Sequence, residues 1–328
     1  MRQGAALLAL LLTAACATGP VERFTIPPGA SLTRVADTLS AHGIIGCRIC
    51  FKVTARIRGA ERSVQAGVYE LPRGAGTWRA LTALKEGHTL AIHFTVPEGL
   101  TLWDLADLAQ SELGIPTDSL LIAATDSAAA TSLLHEPGFE GFLLPETYDV
   151  PSGTRAPDLV RLMAEEFLRR WEPGWTARLD TLQLTRRQVM ALAAIVEGEA
   201  RHDEERPVIA GVYWNRFKAG IALQADPTVQ YAIEARTGER KPRLFFKDLD
   251  IQSPYNTYLH PGLPPGPINS PGLASIRAAL YPEAVPYLYF VAIPDGHHLF
   301  SRTLAEHEKA IATARRLRKA QEDSLKRR

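Results

Sequence analysis

The sequence predicts an α+β protein in which a small lobe of strands and short helices precedes a larger, mainly helical domain with a short sheet. Three observations carry this. The segments Phe24-Thr-Ile-Pro-Pro-Gly-Ala-Ser-Leu-Thr-Arg-Val-Ala-Asp-Thr-Leu39 and Phe94-Thr-Val-Pro-Glu-Gly-Leu-Thr-Leu-Trp-Asp-Leu-Ala-Asp-Leu-Ala109 repeat one another, each reading as strand, turn with Pro and Gly, then helix. From about residue 155 apolar residues recur at helical spacing. Tyr287-Leu-Tyr-Phe-Val-Ala292 reads as one clear strand.

Taken in order, Phe24 and Ile26 alternate as a strand requires, and Leu32, Val35, Ala36 and Leu39 then follow at helical intervals. Ala66 to Leu71 is a short strand, and Thr77 to Glu86 is a helix stopped by Gly87. The first lobe closes near residue 90. Helices are expected over Asp158 to Trp171, Thr185 to about Ala200, and Pro207 to Lys218 before Gly220. Thr185 and Gln188 form a capping box for the second of these, and Pro207 suits a first helical position. Gln224 to Pro271 is rich in Pro, Gly, Asn and Tyr, and reads as a long irregular stretch of the kind that carries function. A helix starts at Ser275 to Ala279, and Thr303 to Arg328 is a charged helix with a solvated face. The expected organisation is an export segment at 1–20, the lobe at 21–90, the larger domain at 91–312 and a charged helical tail at 313–328.

With 328 residues, 46% of them hydrophobic and 22% charged, the chain can bury a sizeable core and is not disordered. Its 37 basic and 36 acidic residues give a net charge of +1, so no broad positive field exists to hold DNA or RNA. Met1 to Pro20 has a basic start, a short apolar run and small residues before Cys16, which reads as an export signal too short to span a bilayer comfortably. Thr13-Ala-Ala-Cys16 resembles the lipobox of bacterial lipoproteins, whose cysteine is lipidated, although leucine is usual where Thr13 stands. Lipid anchoring at Cys16 and retention as a signal anchor both stay open. Cys47 and Cys50 lack the strand and helix surroundings of a thioredoxin-like motif and are read as a structural or incidental pair. The nine histidines are scattered and no His-Glu-x-x-His occurs, so no metal is expected. No Gly-x-Ser-x-Gly nucleophile turn is present, which argues against acyl transfer.

Ala191-Leu-Ala-Ala-Ile-Val-Glu-Gly-Glu-Ala200 ends an apolar run in two carboxylates. On one helix these point about 200° apart and need separate assignments. Leu192, Ile195 and Val196 precede Glu199 at helical spacing, so this carboxyl falls at the end of the large apolar stripe, where desolvation raises its pKa toward that of a general acid. Glu197 follows Met190, Ala193 and Ala194 and is the second candidate. Ion pairs with Arg201 or Arg206 are the alternative use of either glutamate.

Together with Ala194-Ile-Val-Glu-Gly-Glu-Ala200 and Gly141-Phe-Leu-Leu-Pro-Glu-Thr-Tyr148, the blocks Leu223-Gln-Ala-Asp-Pro-Thr-Val-Gln-Tyr231, Ser253-Pro-Tyr-Asn-Thr-Tyr258 and Pro261-Gly-Leu-Pro-Pro-Gly-Pro-Ile-Asn-Ser-Pro271 resemble the endolytic murein transglycosylase, or YceG-like, family, in the right order. The strand, turn and helix of the first lobe resemble the LysM module, which binds glycans containing N-acetylglucosamine. The resemblance implies lytic cleavage of peptidoglycan strands between N-acetylmuramic acid and N-acetylglucosamine, leaving 1,6-anhydro ends and requiring no cofactor. It carries the catalytic role onto Glu199, with Glu197 in reserve. Gln224, Asp226, Thr228, Asn256 and Thr257 are candidates to bond sugar hydroxyl and N-acetyl groups, and Tyr231, Tyr255 and Tyr258 to offer ring faces. Glu146 and Tyr148 are candidates for the cleft wall. The resemblance also implies an extracytoplasmic location at the bacterial envelope, anchored by the N-terminus, and partnership with peptidoglycan synthases. Gly198 departs from the family pattern, which usually has a larger, often basic residue between the glutamates.

Overall fold

A computed structural model describes residues 19–27, 29–60, 63–87 and 91–325. The export segment and Cys16 lie outside the described residues. Two compact units are present. The first comprises the described residues up to His93 together with Asp149–Thr154, and the second comprises Phe94–Tyr148 with the rest of the chain from Arg155.

In the first unit β1 (Val21–Ile26) leads to α1 (Leu32–Ala41), α2 (Arg48–Ile57), β2 (Gly67–Pro72) and α3 (Gly76–Glu86). Strands β1 and β2 are antiparallel, with Phe24 opposite Tyr69, and the alternating residues Phe24, Ile26, Tyr69 and Leu71 face Val35, Leu39, Phe51 and Leu84 in one apolar core. Ser31 caps α1 by accepting the Arg34 N–H, and Gly87 ends α3 in the left-handed conformation that glycine adopts without a Cβ clash. Helix α2 was not legible in the sequence: it is capped by the Cys47 sulfur, and Cys47 is bridged to Cys50 by a disulfide.

Strand β3 (Ala91–Thr95) is followed by α4 (Leu102–Leu113), α5 (Thr117–Ala124), α6 (Ser127–Leu134) and β4 (Thr147–Pro151), which pairs with β3. Then come α7 (Ala156–Arg170), α8 (Pro173–Leu182), α9 (Arg186–Glu199), α10 (Arg206–Lys218), α11 (Asp226–Thr237) and α12 (Leu273–Leu280). The antiparallel hairpin of β5 (Tyr289–Ala292) and β6 (His298–Ser301) and the long α13 (Leu304–Leu325) complete the second unit. Among the described residues no helix is long and apolar enough to cross a membrane.

The α+β class expected from the sequence is the class observed: short sheets beside many helices. Helix α9 is the centre of the second unit. Its capping box forms as read, Thr185 accepting the Gln188 N–H at 3.2 Å and Gln188 accepting that of Thr185 at 2.8 Å. The one-sided stripe expected on this helix is absent, because every residue from Val189 to Val196 is buried, with α8, α10, α11 and α12 packed around it. The stretch from Gln224 to Pro271 is less irregular than its composition implies, since α11 lies inside it. Pro227 occupies its first turn, where a missing N–H costs no helical bond. Nor is α13 merely a solvated face: Arg318 donates to the Ala292 carbonyl at 3.2 Å, and His307 stacks on Tyr289.

Candidate active site

Glu199 is the last residue of α9, and its carboxyl opens into a cavity of about 430 Å³, within the range of small-ligand sites. Helix α10 brings Tyr213 and Arg216, three residues apart and so on one face, to the same cavity. Gln224 and Asp226 approach from the start of α11, Tyr258 from the loop before α12, and Phe290, Val291, Ala292 and His298 from the β5–β6 hairpin.

The electrostatics at Glu199 oppose its ionisation. It is half-buried, and desolvation lifts its pKa from 4.5 to about 7, helped by the charge of Asp226 and opposed by a hydrogen bond from the Tyr213 hydroxyl to Oε1 at 2.7 Å. Burial pushes the Tyr213 hydroxyl well above its ordinary pKa, so it stays a donor at neutral pH. The neighbouring Glu197 has another use. Its Oε1 accepts from Arg206 at 3.0 Å and its Oε2 accepts the Gly272 N–H at 3.0 Å, while Gly99, in the turn of the second repeat, packs against its side chain. The ion pair weighed for either glutamate is thus made by Glu197, and Glu199 is left facing the cavity.

Asp226 stands at the first position of α11 but caps nothing; Oδ1 instead accepts from the Tyr258 hydroxyl at 2.6 Å. Gln224 is held in the left-handed region, φ 53°, by its own N–H on the Thr257 carbonyl, and its side-chain oxygen accepts from Arg216. A non-glycine residue in that region costs about 1 kcal/mol, a strain of the sort found where a side chain must be aimed.

The structure places the other sequence candidates elsewhere. Thr228 and Thr257 are fully buried against one another at 2.9 Å, and Thr257 also accepts the Ala225 N–H, so both fix the entry to α11 and neither lines the cavity around Glu199. Asn256 is buried and donates to the Leu249 and Ile251 carbonyls, shaping its own loop. Tyr231 and Tyr255 pack with ring centroids 4.8 Å apart and planes tilted by 51°, in a separate cluster where Tyr231 donates to Glu140. Glu146 pairs with Arg170 at 2.8 Å, and the buried Tyr148 donates to the Leu144 carbonyl. Neither lines the cavity around Glu199. Tyr213, Arg216, His298 and the hairpin wall were not read from the sequence. The polar pair at i, i+3 in Tyr213-Trp-Asn-Arg216 was the available signal for the first two.

Gly198 lies where α9 meets α11, and a Cβ there would stand 2.8 Å from the Pro227 ring carbons. Gly198→Ala is expected to push the start of α11 outward and Asp226 with it, lowering turnover about tenfold for a stability cost of about 1–3 kcal/mol, as overpacked contacts do. Comparing kcat with the urea midpoint checks this.

A helix-borne carboxyl with a raised pKa, a tyrosine donor and a second carboxylate around one cavity are the groups an acid–base site requires, set in a mainly helical α+β protein. The chain belongs to the YceG-like family, whose family model matches residues 24–313. The endolytic murein transglycosylase of Bacillus subtilis (strain 168) is 32% identical over 315 residues, covering 89% of this chain and 86% of that protein. The protein of the same name from Streptococcus pneumoniae serotype 2 (strain D39 / NCTC 7466) is 26% identical over 317 residues, 88% of this chain and 57% of that longer protein. A crystal structure of a yceG-like protein from Listeria monocytogenes matches with a TM-score of 0.61 at 30% identity, over 89% of this chain and 99% of that one.

Proposed function

We propose that the protein is a lytic transglycosylase of the bacterial envelope that cleaves peptidoglycan glycan strands within the chain, with Glu199 as its single acid and base. The observation that carries this reading is the Glu199 carboxyl, turned into the cavity and lifted to a pKa of about 7, with no cation paired to it among the described residues. Protonated, it gives its proton to the glycosidic oxygen as the bond from that oxygen to C1 of muramic acid breaks. The muramic 6-hydroxyl then closes on C1 and returns a proton to the carboxylate, so no water is consumed. The Tyr213 hydroxyl steadies the carboxylate between the two transfers, and Asp226 places negative charge beside the positive charge that grows on C1.

Asp226 also supports a second reading, hydrolysis, because two carboxyl groups are what a water-consuming glycosidase needs. Product mass separates the two: digestion of purified glycan strands should give anhydro ends, one water lighter than the reducing ends of hydrolysis. Reducing ends alone would refute the lytic reading.

Protonation of the acid sets a pH limit with a checkable sign. Activity is expected to fall as pH rises through about 7, where Glu199 loses its proton. Tyr213→Phe removes a bond that favours the carboxylate, so the alkaline limb moves upward. Asp226→Asn removes a repelling charge, so the limb moves downward. The midpoint of the limb, rather than the maximal rate, is the quantity to compare.

The first unit is read as an accessory contact for wall glycan, on its likeness to LysM. The N-terminal segment is read as the membrane or lipid attachment, through Cys16 in the second case, and peptidoglycan synthases are read as partners. Labelling with a radioactive fatty acid in cells, lost in Cys16→Ser, tests the lipid route.

A further inference from the structure

We infer that His298 is a further glycan-contacting residue of the Glu199 cavity, offering its Nε2 lone pair to a sugar hydroxyl or N-acetyl N–H, and that Glu205 is the positioning residue that fixes its tautomer. The inference rests on the reading of this cavity as the glycan site, and it adds a contact from the β5–β6 hairpin.

The pair joins two distant parts of the chain. Glu205 ends the short turn Asp203–Glu205 between α9 and α10, and His298 opens β6. Glu205 Oε1 accepts the His298 backbone N–H at 3.0 Å, and Oε2 lies 2.8 Å from His298 Nδ1. Both oxygens are thus spent on one residue. The two side chains are buried, 3% of His298 and 11% of Glu205 being exposed, and no lysine or arginine pairs with Glu205 among the described residues. Arg206, next in the chain, turns its guanidinium to Glu197, Asp203 and Ser275 instead. A buried carboxylate without a cationic side chain to offset its desolvation is costly, and what it secures here is a histidine held at two points. The backbone N–H alone would tie the turn to the strand. The bond to Nδ1 does something that tie does not need: it orients the ring.

Orientation has a use because of where the ring stands. His298 lines the same cavity as Glu199 and Asp226, with Phe290 packed edge-on at 5.1 Å. An ionised carboxylate can only accept, so in the neutral imidazole Nδ1 carries the proton and Nε2 holds a lone pair. Nε2 has no protein partner among the described residues and is not sealed from solvent, so the space it meets is the cavity. Other polar side chains there already engage one another: Glu199 with Tyr213, Asp226 with Tyr258, and Gln224 with Arg216. Sugars carry the hydroxyl and amide donors that a fixed lone pair accepts.

The two-point clamp makes the tautomer testable. In Glu205→Gln the amide oxygen must stay toward the His298 backbone N–H, which can only donate, so the NH₂ faces Nδ1. Nδ1 then has to accept, and the ring proton moves to Nε2. The shape is kept while the cavity atom turns from acceptor to donor, as when an amide replaces the carboxylate behind a catalytic histidine.

The experiment pairs ¹⁵N NMR of the whole protein at pH 8, where an ordinary imidazole is neutral, with kinetics on purified glycan strands. His298→Asn, which keeps an amide for Glu205 and lacks the distal nitrogen, identifies the His298 signals among the nine histidines. The wild type should carry its proton on Nδ1 and show the Nε2 signal moving when strands are added; Glu205→Gln should carry it on Nε2. Both variants should raise KM about tenfold with kcat within about threefold, the loss of one hydrogen bond made before the reaction begins. Glu205→Gln, which preserves the shape, carries the test if His298→Asn folds poorly. A proton on Nε2 in the wild type, or strands cleaved with KM unaltered by both substitutions, overturns this inference alone. A wild type that cleaves no strands and shows no shift at Nε2 overturns it together with the glycan-site reading, whereas a shift without cleavage keeps the contact and removes only the lytic reaction.

Discussion

Glu199→Gln should lose at least a thousandfold in turnover while becoming more stable above neutral pH. The first effect follows from removing the only group in the proposed reaction that both gives and takes a proton, a role worth about 10²–10⁴-fold by itself. The second follows from linkage. The folded-state pKa of Glu199 is about 7 against an ordinary value of 4.5, so the folded chain holds a proton that the unfolded chain releases between those values. The resulting stabilisation is fully present below the unfolded pKa and is lost as pH rises through about 7, by no more than about 3 kcal/mol. Glutamine has no such slope. Melting at pH 5 and pH 8 should show the variant gaining on the wild type at the higher pH. If Glu199 instead served a structural ion pair, the variant would be the weaker protein at pH 8.

The largest loss of stability is expected at Arg206. Its guanidinium, buried in the second unit, donates to Glu197 at 3.0 Å, to Asp203 at 2.9 Å and to Ser275, and lies 3.7 Å from Glu98. Glu197 is itself buried, with 7% of its side chain exposed. Arg206→Ala would leave that carboxylate without a cation, keeping only the Gly272 N–H, and breaking a buried pair from one side costs about 3–5 kcal/mol. Urea denaturation should show the shift. Glu197→Gln added to Arg206→Ala should recover part of it, because the orphaned charge is then gone. A loss confined to activity, with the urea midpoint unmoved, would contradict this account.

These two glutamates show what sequence could and could not decide. Helical geometry separated them correctly, because residues two apart cannot share a direction, and the chemistry of a desolvated acid favoured Glu199. The stripe argument used to choose between them has no counterpart in the fold, since α9 is buried on every side. What distinguishes them is the partner each meets: Arg206 on one side, Tyr213 and open space on the other. Both partners lie on α10, and no single-helix pattern reports which of its faces will arrive where.

The same limit governs the polar block. Thr228, Asn256 and Thr257 have the hydroxyls and amides that a sugar site needs, yet they bind their own backbone and one another. Side chains of this kind are used equally well to fix a loop as to hold a ligand, and composition alone cannot separate the two uses. Gln224, Asp226 and Tyr258 came from the same block and do line the cavity. The β5 strand was legible because β-branched and aromatic residues crowd it, whereas its contribution of a cavity wall depends on Asn215 donating to the Val285 and Tyr287 carbonyls across the domain.

The first unit takes back a stretch of chain, Asp149–Thr154, in which a Cβ on Gly153 would meet the Gly67 α-carbon at 3.4 Å. A polypeptide synthesised from its N-terminus therefore cannot finish this lobe until Thr154 has emerged, by which point α4, α5 and α6 have already been made. The two units must mature in an interleaved order, and an expression fragment cut at His93 would be a torso missing the piece that is threaded back into it.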